Sequence, residues 1–318
     1  MNVPAASPDV SILVVAYNSQ AIIADCLGSV PAACTRHTYE ILLVDNSDGA
    51  SAKVAADRFP DVGIVPSRGN IGFAGGNNLL AAHAKGRYLL LLNPDVVLKP
   101  EAIDRLMDAA HTYPEAAAWG GVTLDQDDRP DLGNTVHVPS LREMASRTLG
   151  RSIAARVGHI GIDKDAQVDV LSGSFVMFAR KAWDEVGGLD DRYFLYCEEV
   201  DLFYRLAQRG YRFWRISSAR ANHDVGHGEA ASPMRELYLS AGVMQFAKLH
   251  WSWPAQISAF LLIWILALQR FLASQILGSR SAGIKKAGDK QRYVALRPNH
   301  WRNGYDPKRG LLTKLRRA

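Results

Sequence analysis

The sequence predicts an α/β fold: a mostly parallel sheet flanked by helices, followed by a C-terminal helical extension. Three observations predict it. From Val10 to Leu124, short apolar runs alternate with helical patterns, as βαβ units do. The runs are continuous rather than alternating with polar residues, as in strands covered on both faces. Several of them end in Asn or Asp, at the edge where open α/β sheets bind ligands.

Val10 to Tyr17 (VSILVVAY) is a β-branched apolar run and a buried strand. Asn18-Ser19 then offers an N-cap for a helix over Ala21 to Val30. Glu40 to Val44 is a second strand, ending in Asp45-Asn46-Ser47, and Ala50 to Phe59 is helical. Val62 to Pro66 is a short third strand. Arg68 to Asn78 (RGNIGFAGGNN) is a Gly/Asn-rich loop leading into a helix through Lys85. Leu89 to Leu92 is a strand that must stop at Pro94, which has no amide to donate to a ladder. A helix over Pro100 to Tyr113 and a strand over Ala116 to Leu124 complete the regular part. Residues 125–169 are less regular and read as an insertion or lid. Val170 to Ala179 is a strand with Gly173 in its interior, and Glu198 to Gln208 is an amphipathic helix. Two regions result: residues 1–230, and a helical region 231–318.

The chain has 318 residues, 48% of them hydrophobic, enough for one large domain or two. Cys26, Cys34 and Cys197 form no CxxC pair, nothing in them suggests a disulfide framework or a zinc site, and a reducing, cytoplasmic setting is expected. Met1 to Asp9 has neither a basic nor an apolar signal region, so no secretory signal is expected.

A net charge of +5 conceals an asymmetry: Gly278 to Ala318 holds 12 Lys/Arg and 2 Asp/Glu, and the remainder of the chain is mildly acidic. Before this tail come a helix over Arg235 to His250 and the most apolar segment, Trp253 to Leu268, which with Phe271 to Leu277 approaches spanning length only by including Gln269-Arg270. An interfacial helix flanked by Trp251, Trp253 and Trp264 and followed by basic residues is expected, with peripheral attachment to the inner face of the cell membrane. The competing reading is a buried core helix or a homo-oligomer contact. No nucleic-acid-reading motif accompanies the basic tail, so nucleic acid is not an expected partner.

Strand ends supply the candidate chemistry. Tyr17-Asn18, Asp45-Asn46 and Asn93-Pro94-Asp95 converge if their strands are parallel, and the Asn70, Gly72 and Asn77 loop suits polar recognition of a nucleotide. No GxxxxGK[ST] and no GxGxxG follows a strand, which excludes a P-loop and argues against a dinucleotide site. Asp95 suits a hard divalent cation, Mg2+ or Mn2+, bridging a diphosphate; the bland reading is a strand-to-helix turn. Glu198 and Glu199 open a helix, where they either complement its dipole or act as a general base. His223, with Asp224 and His227 in a Gly-bounded loop, is either a surface residue or a metal ligand.

The ordered set VSILVVAYN, EILLVDNSDG, GNIGFAGGNN, YLLLLNPDV, LSGSFVMFARKAWDEVGGLDDRYFLYCEEVDLFYRL and HDVGHG resembles the family-2 inverting glycosyltransferases of GT-A (Rossmann-like) fold, and their rhamnosyltransferase-like branch in particular. The resemblance covers about residues 9 to 228 and implies roles for single residues. Asp45 would contact the nucleotide base or ribose. Asp95 would be the last acid of a DxD-type motif whose first position is here Asn93. Gly173 and Ser174 would lie on the acceptor side, Glu199 would be the catalytic base with Glu198 the alternative, and His223 a metal ligand. The family's usual Glu-Asp at the base is here Glu198-Glu199, one methylene longer. The branch implies dTDP-L-rhamnose as donor and a saccharide or lipid-linked saccharide as acceptor, in bacterial polysaccharide or cell-wall synthesis. A UDP-sugar-dependent hexosyl- or N-acetylhexosaminyltransferase is the near alternative, and a non-catalytic glycan- or membrane-binding scaffold the alternative of another class.

Overall fold

The computed structural model describes residues 7–125, 127–130, 136–150, 162–223 and 233–306. Contacts divide the chain into two compact units: Met1–Val138 with Ile160–Asp190 and Glu199–Val225, and Pro139–His159 with Asp191–Glu198 and Gly226–Ala318.

The first unit is built on one sheet. Its strands are β1 (Val10–Ala16), β2 (Tyr39–Asp45), β3 (Gly63–Ile64), β4 (Tyr88–Leu92), β5 (Val96–Leu98), β6 (Ala116–Leu124), β7 (Ala166–Gln167), β8 (Phe175–Ala179) and β9 (Arg212–His223). They lie in the order β3-β2-β1-β4-β8-β6-β9-β5, with β7 also on β9. The stretch β3-β2-β1-β4 is parallel, as expected of βαβ units. β8 then enters antiparallel between β4 and β6, and β5 and β7 pair antiparallel with β9. The sheet is therefore mixed, and its parallel half carries the strand ends singled out above.

All five residues of β4 are buried, which explains the unbroken leucine run, and the strand ends before Asn93-Pro94. Helices α1 (Ile23–Ala33), α2 (Ala50–Arg58), α3 (Gly72–His83) and α4 (Ala102–Thr112) follow the strands in turn. Buried Asp104 on α4 accepts from the Thr35 amide and hydroxyl and from the Arg36 amide, tying α4 to the segment after α1.

Several expectations are corrected. The Gly/Asn-rich stretch is a loop only to Ile71; from Gly72 it is already helix. The third strand is two residues long. Gly173 lies in the turn before β8, not inside a strand. β5 and β9 did not stand out in the sequence. β9 places Phe213 and Ile216 in the core but interleaves them with arginines, serines and the small Ala219 and Ala221, and so lacks an apolar run. His223 is the last residue of β9 rather than part of a loop, whereas Asp224 and His227 lie outside the described residues. The irregular stretch holds β7 and a short helix, α5 (Leu141–Thr148), capped by Ser140, whose hydroxyl accepts from the Glu143 amide at 3.2 Å. Two further helices, α6 (Arg180–Val186) and α7 (Glu198–Gln208), follow β8.

The second unit is helical. It contains α5, α8 (Pro233–His250), α9 (Trp253–Leu277) and α10 (Ala282–Leu296). The basic tail thus begins as a helix, capped by Ser281, which accepts from the Ile284 amide. After α10, Trp301 is fully buried and its ring N–H donates to the Val294 carbonyl at 3.0 Å. Buried Tyr305 donates to the Tyr238 carbonyl at 2.9 Å and also meets the Leu195 carbonyl. Asp191–Glu198 is held within this unit by such contacts.

Candidate active site

The parallel strands set β1, β2 and β4 side by side, so their carboxyl ends share one edge. Beyond β1, Tyr17 is exposed and Asn18 takes a left-handed backbone, φ 53°; Asn tolerates that region better than most residues. The Asn18 amide donates to the Ser47 hydroxyl at 3.2 Å, joining the ends of β1 and β2.

Asp45 ends β2 almost fully buried. Burial alone would raise its pKa. The Ser47 hydroxyl and amide and the Ala52 and Ser51 amides outweigh it, and the net direction is down. Its carboxylate therefore anchors the first turn of α2 as well as standing at the ligand edge. Neighbouring Asn46 donates to the Gly72 carbonyl at 2.9 Å, while its own amide oxygen is buried without a partner. Asn46 is one of the strand-end groups of the sequence, but its orphaned oxygen becomes visible only in three dimensions.

The Asn70 side chain accepts from the Gly72 amide at 3.2 Å and fixes the entry to α3. That helix lies directly on β1: a Cβ at Gly76 would sit 2.8 and 2.9 Å from the two methyls of Val15. Glycine is required there by close approach. Asn77, singled out for the nucleotide, is buried and donates to the Phe73 carbonyl one turn back, which is a role in the helix.

At the end of β4, the Asn93 amide donates to the Ser174 carbonyl at 2.9 Å, and the Asn93 side-chain oxygen is buried and unpartnered. Ser174 is buried, its hydroxyl 3.0 Å from that of Ser172. Gly173 faces Phe73 and Glu199: a Cβ there would lie 3.3 Å from the Phe73 ring and 3.9 Å from the Glu199 Cβ. Phe73 was not marked by the sequence, where it reads as one aromatic inside a glycine-rich stretch.

Asp95 Oδ2 lies 3.5 Å from His223 Nε2. The other carboxylate oxygen of Asp95 is buried and has no hydrogen-bond partner. A desolvated carboxylate oxygen left unengaged is costly, and a cation would offset that cost. Among the described residues no group of three or more His, Cys, Asp or Glu gathers as a metal cage. Two protein ligands fit Mg2+ or Mn2+, which keep waters and substrate phosphate oxygens in their shells. The residues present therefore fit a divalent cation shared with a diphosphate, and they do not fit a structural metal.

Glu199 stands in the first turn of α7. Its side chain is half-buried, its Oε2 atom has no solvent contact and no partner, and burial raises its pKa above the usual carboxylate range. Glu198 beside it is buried. Immediately before them Tyr196 and Cys197 both adopt left-handed backbones, φ 70° and 69°. Each costs on the order of 1 kcal/mol or more, and such strain collects at functional sites. The turn is pressed against α8, where a Cβ on Gly242 would lie 2.6 Å from the Tyr196 carbonyl oxygen.

One connected set results in the first unit. Asn46 touches Gly72, the adjacent Phe73 faces Gly173, and Gly173 faces Glu199. From Gly173 the neighbouring Ser174 leads to Asn93, then to Asp95 and His223. It unites an acid of raised pKa, a carboxylate–imidazole pair and a polar strand edge.

Comparison with known proteins matches residues 11–184 to the model of glycosyl transferase family 2. N-acetylglucosaminyl-diphospho-decaprenol L-rhamnosyltransferase of Mycobacterium tuberculosis is 30% identical over 229 residues, covering 64% of this chain and 72% of that protein. Rhamnosyltransferase WbbL of Escherichia coli is 28% identical over 203 residues, covering 59% of this chain and 74% of that one. Among solved structures, the mannosyltransferase PcManGT from Pyrobaculum calidifontis, in complex with GDP-Man and Mn2+, superposes with a TM-score of 0.58 at 16% identity. That match covers 92% of this chain and 86% of the mannosyltransferase, and it shows a shared fold.

Proposed function

The chain belongs to glycosyl transferase family 2, in its rhamnosyltransferase branch, and on that premise we propose that it is an inverting transferase moving L-rhamnose from dTDP-L-rhamnose to a lipid-linked saccharide. The observation that carries the chemistry is the connected set from Asn46 through Gly173 to Glu199 and Asp95. The donor and acceptor are suggested by the relatives' names: one acts on an N-acetylglucosaminyl-diphospho-decaprenol, and both are rhamnosyltransferases.

In this reading the nucleoside half of the donor lies along the ends of β1 and β2. Exposed Tyr17 offers a ring face, and Asn18, Asn46 and Asp45 offer polar contacts. Asp95 and His223 would hold a divalent cation, which supplies positive charge against the donor's diphosphate. Glu199 takes the proton of an acceptor hydroxyl as that oxygen bonds to the anomeric carbon. The bond to the diphosphate breaks on the opposite face, and the nucleoside diphosphate leaves with the electron pair. A pKa raised by burial makes Glu199 a stronger base than an exposed glutamate. Gly173 keeps the space beside Glu199 open for the acceptor.

The test is a donor panel with Mn2+ or Mg2+ and an N-acetylglucosaminyl-diphospho-polyprenol acceptor, read by released nucleoside diphosphate. Release with dTDP-L-rhamnose alone is expected. Release only with a UDP-sugar would replace the donor and keep the mechanism. Silence across the panel, with no sugar nucleotide raising the melting temperature, would favour a non-catalytic scaffold.

A further inference from the structure

Among the described residues, helix α9 carries an exposed apolar stripe. Trp253, Ile257, Leu261, Ile265, Leu272 and Ile276 are exposed, Trp253 and Ile276 at 71% and 73%. Their spacings of four and seven place them on one face. From Ile257 to Ile276 the stripe is about 28 Å long at 1.5 Å per residue. Exposed Ser258 and Gln275 also fall on this face, so it is predominantly apolar, and a predominantly apolar face of this extent marks an interaction site.

The rest of α9 is occupied within its own unit. The Trp264 ring N–H donates to the Ala295 carbonyl of α10 at 3.0 Å, and the Thr148 hydroxyl of α5 reaches the Leu262 carbonyl at 3.4 Å. Ser274 is buried under Gly288 of α10, where a Cβ would lie 2.0 Å from its hydroxyl oxygen. α10 therefore runs antiparallel along α9 from Trp264 to Ser274, and it carries exposed Lys285, Lys286, Asp289 and Arg292.

We infer that this face of α9 docks on an anionic lipid bilayer, with the helix lying in the plane of the interface. Length and apolarity alone would let α9 span a bilayer, but spanning would draw the charges of α10 into hydrocarbon with it, where each is strongly disfavoured. An in-plane helix needs one apolar face only, and α9 has one. Charge complementarity selects the anionic surface. Exposed Arg280, Lys285, Lys286, Arg292 and Arg297 follow the stripe, and basic residues near such a surface attract it. Exposed Trp253 at the start of α9 suits the headgroup level. This inference stands apart from the choice of donor and from the assignment of the catalytic base.

The experiment is flotation of the full chain with vesicles of phosphatidylcholine alone or mixed with phosphatidylglycerol. Wild type should float with the anionic vesicles, weakly with neutral ones, and be released in part by raised salt. The triple variant Ile257→Gln, Leu261→Gln, Ile265→Gln should bind anionic vesicles at least about a hundredfold more weakly. Its circular dichroism and its release of nucleoside diphosphate with a short water-soluble acceptor should be unchanged. Wild type that fails to float, or a triple variant that floats as well as wild type, would overturn the inference. So would wild-type chain that resists alkaline carbonate extraction, as a spanning helix does. A dimer in light scattering that the triple variant abolishes would assign the stripe to a second copy instead.

Discussion

Asp95 Oδ2 lies 3.5 Å from His223 Nε2 because the residue after Asp95, Val96, is the register partner of His223 in the antiparallel β5–β9 pair. Two short stretches far apart in sequence are thus fixed by backbone hydrogen bonds, not by loop closure. A site held on strands is held more precisely than one on loops.

Asp95→Ala should lower kcat/KM on the order of a hundred- to a thousandfold, the scale for losing charge stabilisation at a reacting group. His223→Ala should act mainly by raising the metal concentration needed for half-maximal rate, on the order of tenfold. Both are read by nucleoside diphosphate release across a Mn2+ titration. Equal activity of wild type and Asp95→Ala at every metal concentration would remove Asp95 from the site.

The parallel half of the fold was legible because burial on both faces leaves an unmistakable signature, as in Leu89 to Leu92. β9 was not, because arginines and serines break up its buried Phe213, Ile216, Ala219 and Ala221, and no apolar run is left to read. That miss made His223 look like a loop residue, although its identity as a candidate ligand did not depend on the strand. Asp45 and Asp95 could be found at strand ends. The division of labour between them could not, since it depends on which carboxylate oxygens find amide donors.

Asp45→Ala should lower the melting temperature by several degrees, because it strips acceptors from Ser47 and Ala52 at the start of α2; such losses cost about 1–3 kcal/mol. The folded-state pKa of Asp45 is lowered, so its contribution is present above its unfolded value, about 3.8, and fades as pH falls through the folded value. Melting curves of wild type and variant should therefore converge in strong acid. If the gap persists there, the carboxylate charge is not what holds α2.

Gly76→Ala places a methyl 2.8 and 2.9 Å from the Val15 methyls and should cost about 1–3 kcal/mol. Val15→Ala introduced in the same chain should restore part of the loss, since the two positions compete for one space. Denaturant unfolding of both single variants and the double variant measures this coupling, and strict additivity would contradict the packing.

Glu199 offers the sharpest separation of function from stability. Burial raises its folded pKa, so folding disfavours the ionised form relative to the unfolded chain. A base must be ionised to act. The rate should therefore climb with pH through a midpoint above the ordinary glutamate value of 4.5. For stability the sign is opposite: the contribution of Glu199 is full below its unfolded pKa and is lost as pH rises through the folded one. Glu199→Gln, which stays neutral, should then abolish turnover by a factor on the order of 10²–10⁴ while melting a few degrees higher than wild type at neutral and alkaline pH. Glu199→Asp restores the side chain usual in the family but withdraws the carboxylate by one methylene. If the backbone here is set for the longer side chain, its kcat should fall about tenfold or more with KM for the donor little changed. A Glu199→Gln enzyme that turns over normally, or melts lower than wild type above neutral pH, would move the base to another residue.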